Sequence, residues 1–136
     1  MRGNLFALLV HVRPDPCEAL KPVLRRLGVD TFSVSSCREA AHLLEQTEPH
    51  LLFTDKMLPD GSWVEVLNLA EDVSAPICSI LVGNSEDPDL RQTALEHGAF
   101  DCLDSPFDIE SVSKVVERAT SFVQAGRDRR ARAAAV

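Results

Sequence analysis

Hydrophobic residues in this chain come as short unbroken runs, separated by stretches in which they recur at every third or fourth position. Unbroken runs suit strands covered on both faces, whereas the spaced pattern suits helices that bury one side. Residues 5–12 form the first run. Pro14-Asp15-Pro16 ends it, with Asp15 expected as an N-cap and Pro16 at the first helical position. Cys17, Leu20, Leu24 and Leu27 follow at helical spacing and Gly28 closes that helix, which Pro22 is expected to kink or shorten. A brief strand over 31–34 leads to Ser36-x-x-Glu39, a capping box that opens a helix through Leu44.

Past Pro49, Leu51-Leu52-Phe53-Thr54 reads as a third buried strand and Pro59-Asp60-Gly61-Ser62 as a turn. Trp63, Val66, Leu67 and Ala70 mark the apolar side of a third helix. Residues 77–82 form a fourth strand and 83–89 a polar loop; Leu90, Ala94 and Leu95 then belong to a helix that ends at Gly98. Cys102 and Leu103 give a fifth strand before Ser105-Pro106. Asp108 caps a last helix whose apolar side carries Ile109, Val112, Val115, Val116, Ala119 and Phe122. Strand–helix alternation with short links predicts an α/β fold, a parallel sheet with helices on both faces. Ligand chemistry in such sheets gathers at the carboxyl ends of the strands, here residues 11–13, 54–56, 82–84 and 104–105.

Composition narrows the picture. At 136 residues, with 45% apolar and 26% charged positions, the chain has the size and balance of one globular domain. Its longest apolar run, residues 5–10, is far shorter than the roughly 20 residues of a membrane-spanning helix. His11, Arg13, Pro14 and Asp15 follow that run where a signal peptide would carry small residues at its cleavage site, so a secretory leader is not expected. The net charge of −7 is uneven: residues 1–126 hold 10 basic and 20 acidic side chains, while 127–136 add Arg127, Arg129, Arg130 and Arg132 against Asp128. So acidic a body is not expected to bind nucleic acid, which requires neutralising phosphates. Cys17, Cys37, Cys78 and Cys102 stand singly, without zinc-type spacing, and are expected as free buried thiols of a cytoplasmic protein.

Asp55 is the first candidate for chemistry. A carboxylate directly after a buried strand sits rigidly at the rim of the sheet, and the nucleophile, metal-ligand and capping roles are all open to it. The segment Pro49-His50-Leu51-Leu52-Phe53-Thr54-Asp55-Lys56-Met57-Leu58-Pro59-Asp60-Gly61 resembles the phospho-acceptor segment of response-regulator receiver domains. Gly28 with the strand, cap and Ala-Leu-rich helix through Leu44 is similar to the same family. So are Ala94-Leu95-Glu96-His97-Gly98-Ala99-Phe100-Asp101 and Ser105-Pro106-Phe107-Asp108, in the same order along the chain.

The resemblance implies a flavodoxin-like, CheY-like (βα)5 doubly wound sheet of strand order 2-1-3-4-5. Residues 1–125 would form the receiver-like domain, and 126–136 an Ala/Arg-rich tail or the start of a linker. It further implies phosphoryl transfer from a kinase histidine to Asp55, with Mg²⁺ held by two acidic residues after the first strand. Those two positions are His11 and Val12, and neither offers a carboxylate. Ser105 stands where the family has a lysine, and Cys102 where it has a mobile aromatic. Gly83, or by a second count Leu81, stands where the family has a threonine or serine. Losing one preorganised charge-stabilising donor typically slows a reaction by about 10²–10³. The expectation is therefore an atypical receiver, a protein-interaction module rather than an enzyme, with weak or absent Mg²⁺-dependent phosphorylation and no bound cofactor. One alternative is a working phospho-acceptor at Asp55. Another is a small flavodoxin-like nucleotide or flavin binder, disfavoured because His11-Val12-Arg13-Pro14 is not a glycine-rich phosphate loop.

Neighbouring residues have alternative roles. Asp15 and Asp104 either rebuild a metal site or serve as an N-cap and a solvated strand end. Lys56 either offers Asp55 a positive charge or stays solvated. His11 either pairs with Asp55 or is hydrogen-bonded locally as a neutral ring. Trp63 is a partner anchor or a rim residue covering the sheet. A histidine kinase or an output protein is the expected partner, and residues 90–123 are the surface for a homodimer.

Overall fold

The computed structural model describes residues 5–14, 16–73, 76–84 and 88–135. Asp15 and residues 85–87 of the 83–89 loop lie outside them. The elements are β1 (Leu5–Val10), α1 (Cys17–Arg26), β2 (Val29–Val34), α2 (Cys37–Thr47), β3 (Leu51–Thr54), β4 (Met57–Leu58), β5 (Gly61–Ser62), α3 (Trp63–Asp72), β6 (Cys78–Asn84), α4 (Leu90–Glu96), β7 (Asp101–Ser105) and α5 (Ile109–Ala135). Five strands form one parallel sheet in the order β2-β1-β3-β6-β7. With the β4–β5 hairpin set aside, that is the expected order 2-1-3-4-5.

The sheet is covered on both faces, which is why its central strands β1 and β3 are almost continuously apolar, whereas β2 and β7 at its edges carry polar residues. Ala7, Leu9, Leu51, Phe53, Ile80 and Val82 face α1 and α5, packing on Leu20, Leu24, Val112, Val116 and Ala119. Leu8, Val10 and Leu52 point the other way onto Ala40, Leu44, Val66 and Ala70 of α2 and α3. Leu81 meets Trp63 and Leu67 of α3 and Leu90 and Ala94 of α4. Trp63 is only 5% exposed, so it belongs to the core and is not a partner anchor. Among the described residues no helix is long and apolar enough to cross a membrane.

Local signals account for most helix ends. The Ser36 hydroxyl accepts from the Glu39 N–H, as the capping pattern predicts, and also donates to the Glu39 carboxylate. Asp108 accepts from the Ser111 N–H at 2.9 Å and begins α5. Gly28 and Gly98 follow their helices at φ +80° and +90°, a conformation that favours glycine.

Two expectations need correction. The first strand ends at Val10, two residues early: the His11 N–H still donates to the Val34 carbonyl, after which the chain turns away and Val12 is 51% exposed. Pro22 does not shorten α1, which runs on to Arg26. Its ring lies on the exposed face and removes a single intrahelical bond, and burial of Leu20 and Leu24 on either side holds the helix.

Helix α5 is 27 residues long and passes through residue 125 without a break. Arg127 ties its distal part to the far end of the sheet. The guanidinium donates to the carbonyls of Glu48 and Pro49, both at 2.9 Å, and to that of Pro76 at 3.2 Å. Glu48 ends α2 in a left-handed conformation (φ 46°), so Arg127 binds a carbonyl at a helix C-terminus, where cations are favoured.

Replacing Ser36 by Ala removes the α2 cap and lowers stability by about 1 kcal/mol; the urea midpoint falls accordingly, with the slope of the transition unchanged.

Candidate functional site

Parallel register sets the site. Val10 pairs with Thr54, so β1 and β3 finish at one level; Thr54 pairs with Leu81, and β6 runs three residues further to Asn84, while the next residue after β3 is Asp55. The Asp55 N–H donates to the Val10 carbonyl at 2.9 Å, which fixes its backbone to β1. Its carboxylate is 7% exposed, and Oδ1 accepts from the Lys56 N–H at 2.8 Å.

Above it opens a cleft of about 510 Å³. Arg13, Pro14 and Pro16 line one wall, Asp55, Lys56 and Met57 the floor and side, and Val82, Gly83, Asn84 and Ser105 the other wall. The structure therefore brings Asp55, Lys56, Gly83 and Ser105 together. Of the two residues reached by counting along β6, Gly83 faces the cleft, whereas Leu81 is wholly buried under α3 and α4.

Three expected neighbours stand elsewhere. His11 is buried with its ring turned toward β2. Nδ1 donates to the Arg13 carbonyl at 2.8 Å, and Nε2 lies 3.3 Å from the Ser33 hydroxyl, so both nitrogens are engaged locally and the pairing with Asp55 is not made. Val12 is not part of the cleft wall. Cys102 packs against the cluster of Trp63, Leu81 and Leu90, away from the cleft; burial raises its thiol pKa although it is only partly covered. The other three cysteines are buried and free. Cys17 is pushed up to about 12 by burial, with the Asp55 charge adding to it, and so remains a neutral thiol.

The donor set around Asp55 is poor for the Mg²⁺ that the resemblance implies. Magnesium needs a near-octahedral shell of oxygens, yet the described wall supplies one carboxylate. No group of three or more His, Cys, Asp or Glu side chains is placed to hold a metal among the described residues. Asp104 is exposed on β7 outside the cleft wall, and Asp15 lies outside the described residues.

Two carboxylates carry structure that the sequence reading missed. Asp60, on the turn between β4 and β5, accepts from the N–H groups of Cys37 (2.8 Å) and Arg38 (3.2 Å), and so caps α2 from the segment that follows Asp55. The Cys37 N–H, followed by that of Arg38, holds the Asp60 carboxyl below its ordinary value of 3.8. Asp101, 2% exposed at the start of β7, is bridged by Arg118 of α5 and, at 3.3 Å, by Arg91 of α4. The aspartates' spacing announces neither contact; both partners become neighbours only through the fold.

With this geometry in place, comparison with known proteins is informative. Residues 7–117 match the response regulator receiver domain as a family. The chain is 34% identical over 115 residues to the response regulator protein PilR of Pseudomonas aeruginosa, covering 83% of this chain and 25% of PilR. It is 28% identical over 119 residues to the transcriptional regulatory protein FixJ of Rhizobium meliloti, covering 85% of this chain and 58% of FixJ. The chain thus spans only part of these relatives. Among solved structures it is similar to the signal receiver domain of an HD domain-containing protein from Pseudomonas fluorescens, with a TM-score of 0.80 at 20% identity, covering 95% of this chain and 96% of that one. It is also similar to the receiver domain of a sensor histidine kinase from Pseudomonas aeruginosa, solved with a magnesium ion coordinated in its active site cleft: TM-score 0.74, 19% identity, 88% of this chain and 99% of that one. At such identities the likeness is one of fold.

Replacing Asp60 by Ala removes the second cap of α2 and leaves that of Ser36. Because the native carboxyl pKa is depressed, its contribution is complete above 3.8 and is lost as pH falls through the lowered native value. The stability gap between wild type and Asp60→Ala, measured by urea unfolding, is therefore full at neutral pH and narrows below pH 3.8. Asp101→Asn leaves two guanidiniums without their anion. Their side chains are 69% and 60% exposed and rehydrate easily, so the loss is about 1 kcal/mol, again read from the urea midpoint.

Proposed function

Because the chain belongs to the response regulator receiver domain family, we propose that it serves two-component signalling as a protein-interaction module, with weak or absent Mg²⁺-dependent phosphorylation of Asp55. The observation that carries this reading is the cleft itself. Phosphoryl transfer to a carboxylate brings two anions together and is accelerated mainly by positioning and charge neutralisation. Around Asp55 the described wall has Gly83 and Ser105 where a hydroxyl and a lysine would act, and the ring of His11 is turned toward Ser33. Each missing donor costs about 10²–10³ in rate, which leaves Asp55 a slow acceptor.

The partner in this reading is a protein, a histidine kinase or an output protein, met on the surface of α4, β7 and α5. Leu95 and Phe122 are exposed on α4 and α5, each four residues after the arginine of its helix that binds Asp101. The same surface, residues 90–123, is the one we assign to a homodimer. The interaction domain is residues 1–125, and 126–136 is an Ala/Arg-rich tail or the start of a linker, its residues to Ala135 continuing α5. The acidic body disfavours nucleic acid as a direct partner.

A second reading has one observation in its favour: Asp55 stands at the carboxyl end of β3 on the floor of the cleft, where an acceptor belongs. Incubation with a small phosphodonor and Mg²⁺, followed by intact-mass measurement, separates the two. The proposed reading expects no gain of about 80 Da, the mass of one phosphoryl group. A stoichiometric gain that disappears in Asp55→Ala establishes the second reading instead.

A further inference from the structure

Gly83 lines the cleft wall and lies against the first residue of α4. A β-carbon built on it would lie 2.9 Å from Leu90 Cδ2 and 3.0 Å from Cδ1, closer than packed atoms tolerate. The first side chain of α4 therefore occupies the space that any side chain at position 83 would need. Leu90 is 3% exposed and closed in by Trp63, Leu67, Leu81, Ala94 and Ala99, so it has little room to yield. The next residue, Arg91, is held on the outside by Asp101, which Arg118 of α5 shares. A helix of seven residues has little stability of its own, so these contacts decide where it lies.

We propose that Leu90, seated in the notch left by Gly83, is a wedge that keeps α4 in one position whatever the state of the Asp55 cleft. The α4–β7–α5 surface is then presented constitutively. The inference rests on packing and not on the proposed slowness of phosphorylation, so either fails without the other: a phosphorylated Asp55 leaves the wedge standing if α4 does not respond.

Hydrogen exchange of the α4 amides tests it in the full chain. Gly83→Ala forces its methyl against Leu90 and raises exchange over residues 90–96 by about tenfold, with β1 and α1 unchanged. In Gly83→Ala/Leu90→Ala the rise is smaller than the product of the two single effects, because the new methyl fills space the leucine has left. Asp55→Asn leaves α4 exchange within about twofold of wild type. Should Gly83→Ala fail to fold, Leu90→Ala against Leu90→Met decides: the first raises α4 exchange about tenfold, and the second, which conserves volume, stays within about threefold. The proposal is overturned if Gly83→Ala leaves α4 exchange at the wild-type rate, if the two single effects simply multiply, if Asp55→Asn alters α4, or if the two Leu90 variants behave alike.

Discussion

A parallel sheet buried on both faces has no place for a charge except at the ends of its strands, and that constraint organises this molecule. Every residue of β3 is buried, and the carboxylate of Asp55 comes immediately after the last of them. Pairing of Val10 with Thr54 brings the ends of β1 and β3 to the same level, and pairing of Thr54 with Leu81 sets β6 to run past them to Asn84. The loops that leave those ends must therefore build the walls of one cleft. Neither the charge nor the cleft is movable without a slip of register, and a slip of one residue would turn every buried side chain of the strand to its opposite face.

Within that frame, the reading proposed for the cleft rests on ordinary electrostatics. A buried carboxylate needs donors, and Asp55 has the Lys56 N–H. It lacks among the described residues a second carboxylate to share a metal. Cys17 lies below it as a neutral thiol, and His11, one residue past β1, has both ring nitrogens committed toward Arg13 and Ser33. Asp60 shows the same frame put to structural use, since the segment following the acceptor position anchors α2.

The opposite end and the α4 side depend on different physics. Arg127 joins three main-chain carbonyls that the sheet leaves open where strands enter, and so extends the order of α5 beyond the body. On the α4 side a buried aspartate draws two exposed arginines across β7, and a leucine fills the hollow over a glycine. Long-range ion pairs with exposed arms contribute modestly to stability. Their larger consequence here is geometric, because they set the relative placement of α4 and α5 on the surface assigned to partners.

The chain alone determined what depends on near neighbours: the strand–helix alternation, the Ser36 capping box, the Asp108 cap, the buried side of α3 and the place of Asp55 at a strand end. Each follows from residues within a turn or a strand of one another. Only the tertiary structure decided which way the His11 ring points, which of Gly83 and Leu81 meets the cleft, and that Trp63 is core. It alone joined Asp60 to Cys37, Asp101 to Arg118 and Arg127 to Glu48, pairs separated by 23, 17 and 79 residues. Periodicity records which face of an element is apolar. It carries no information about what a polar side chain meets across a loop or a sheet, since that partner is chosen by packing.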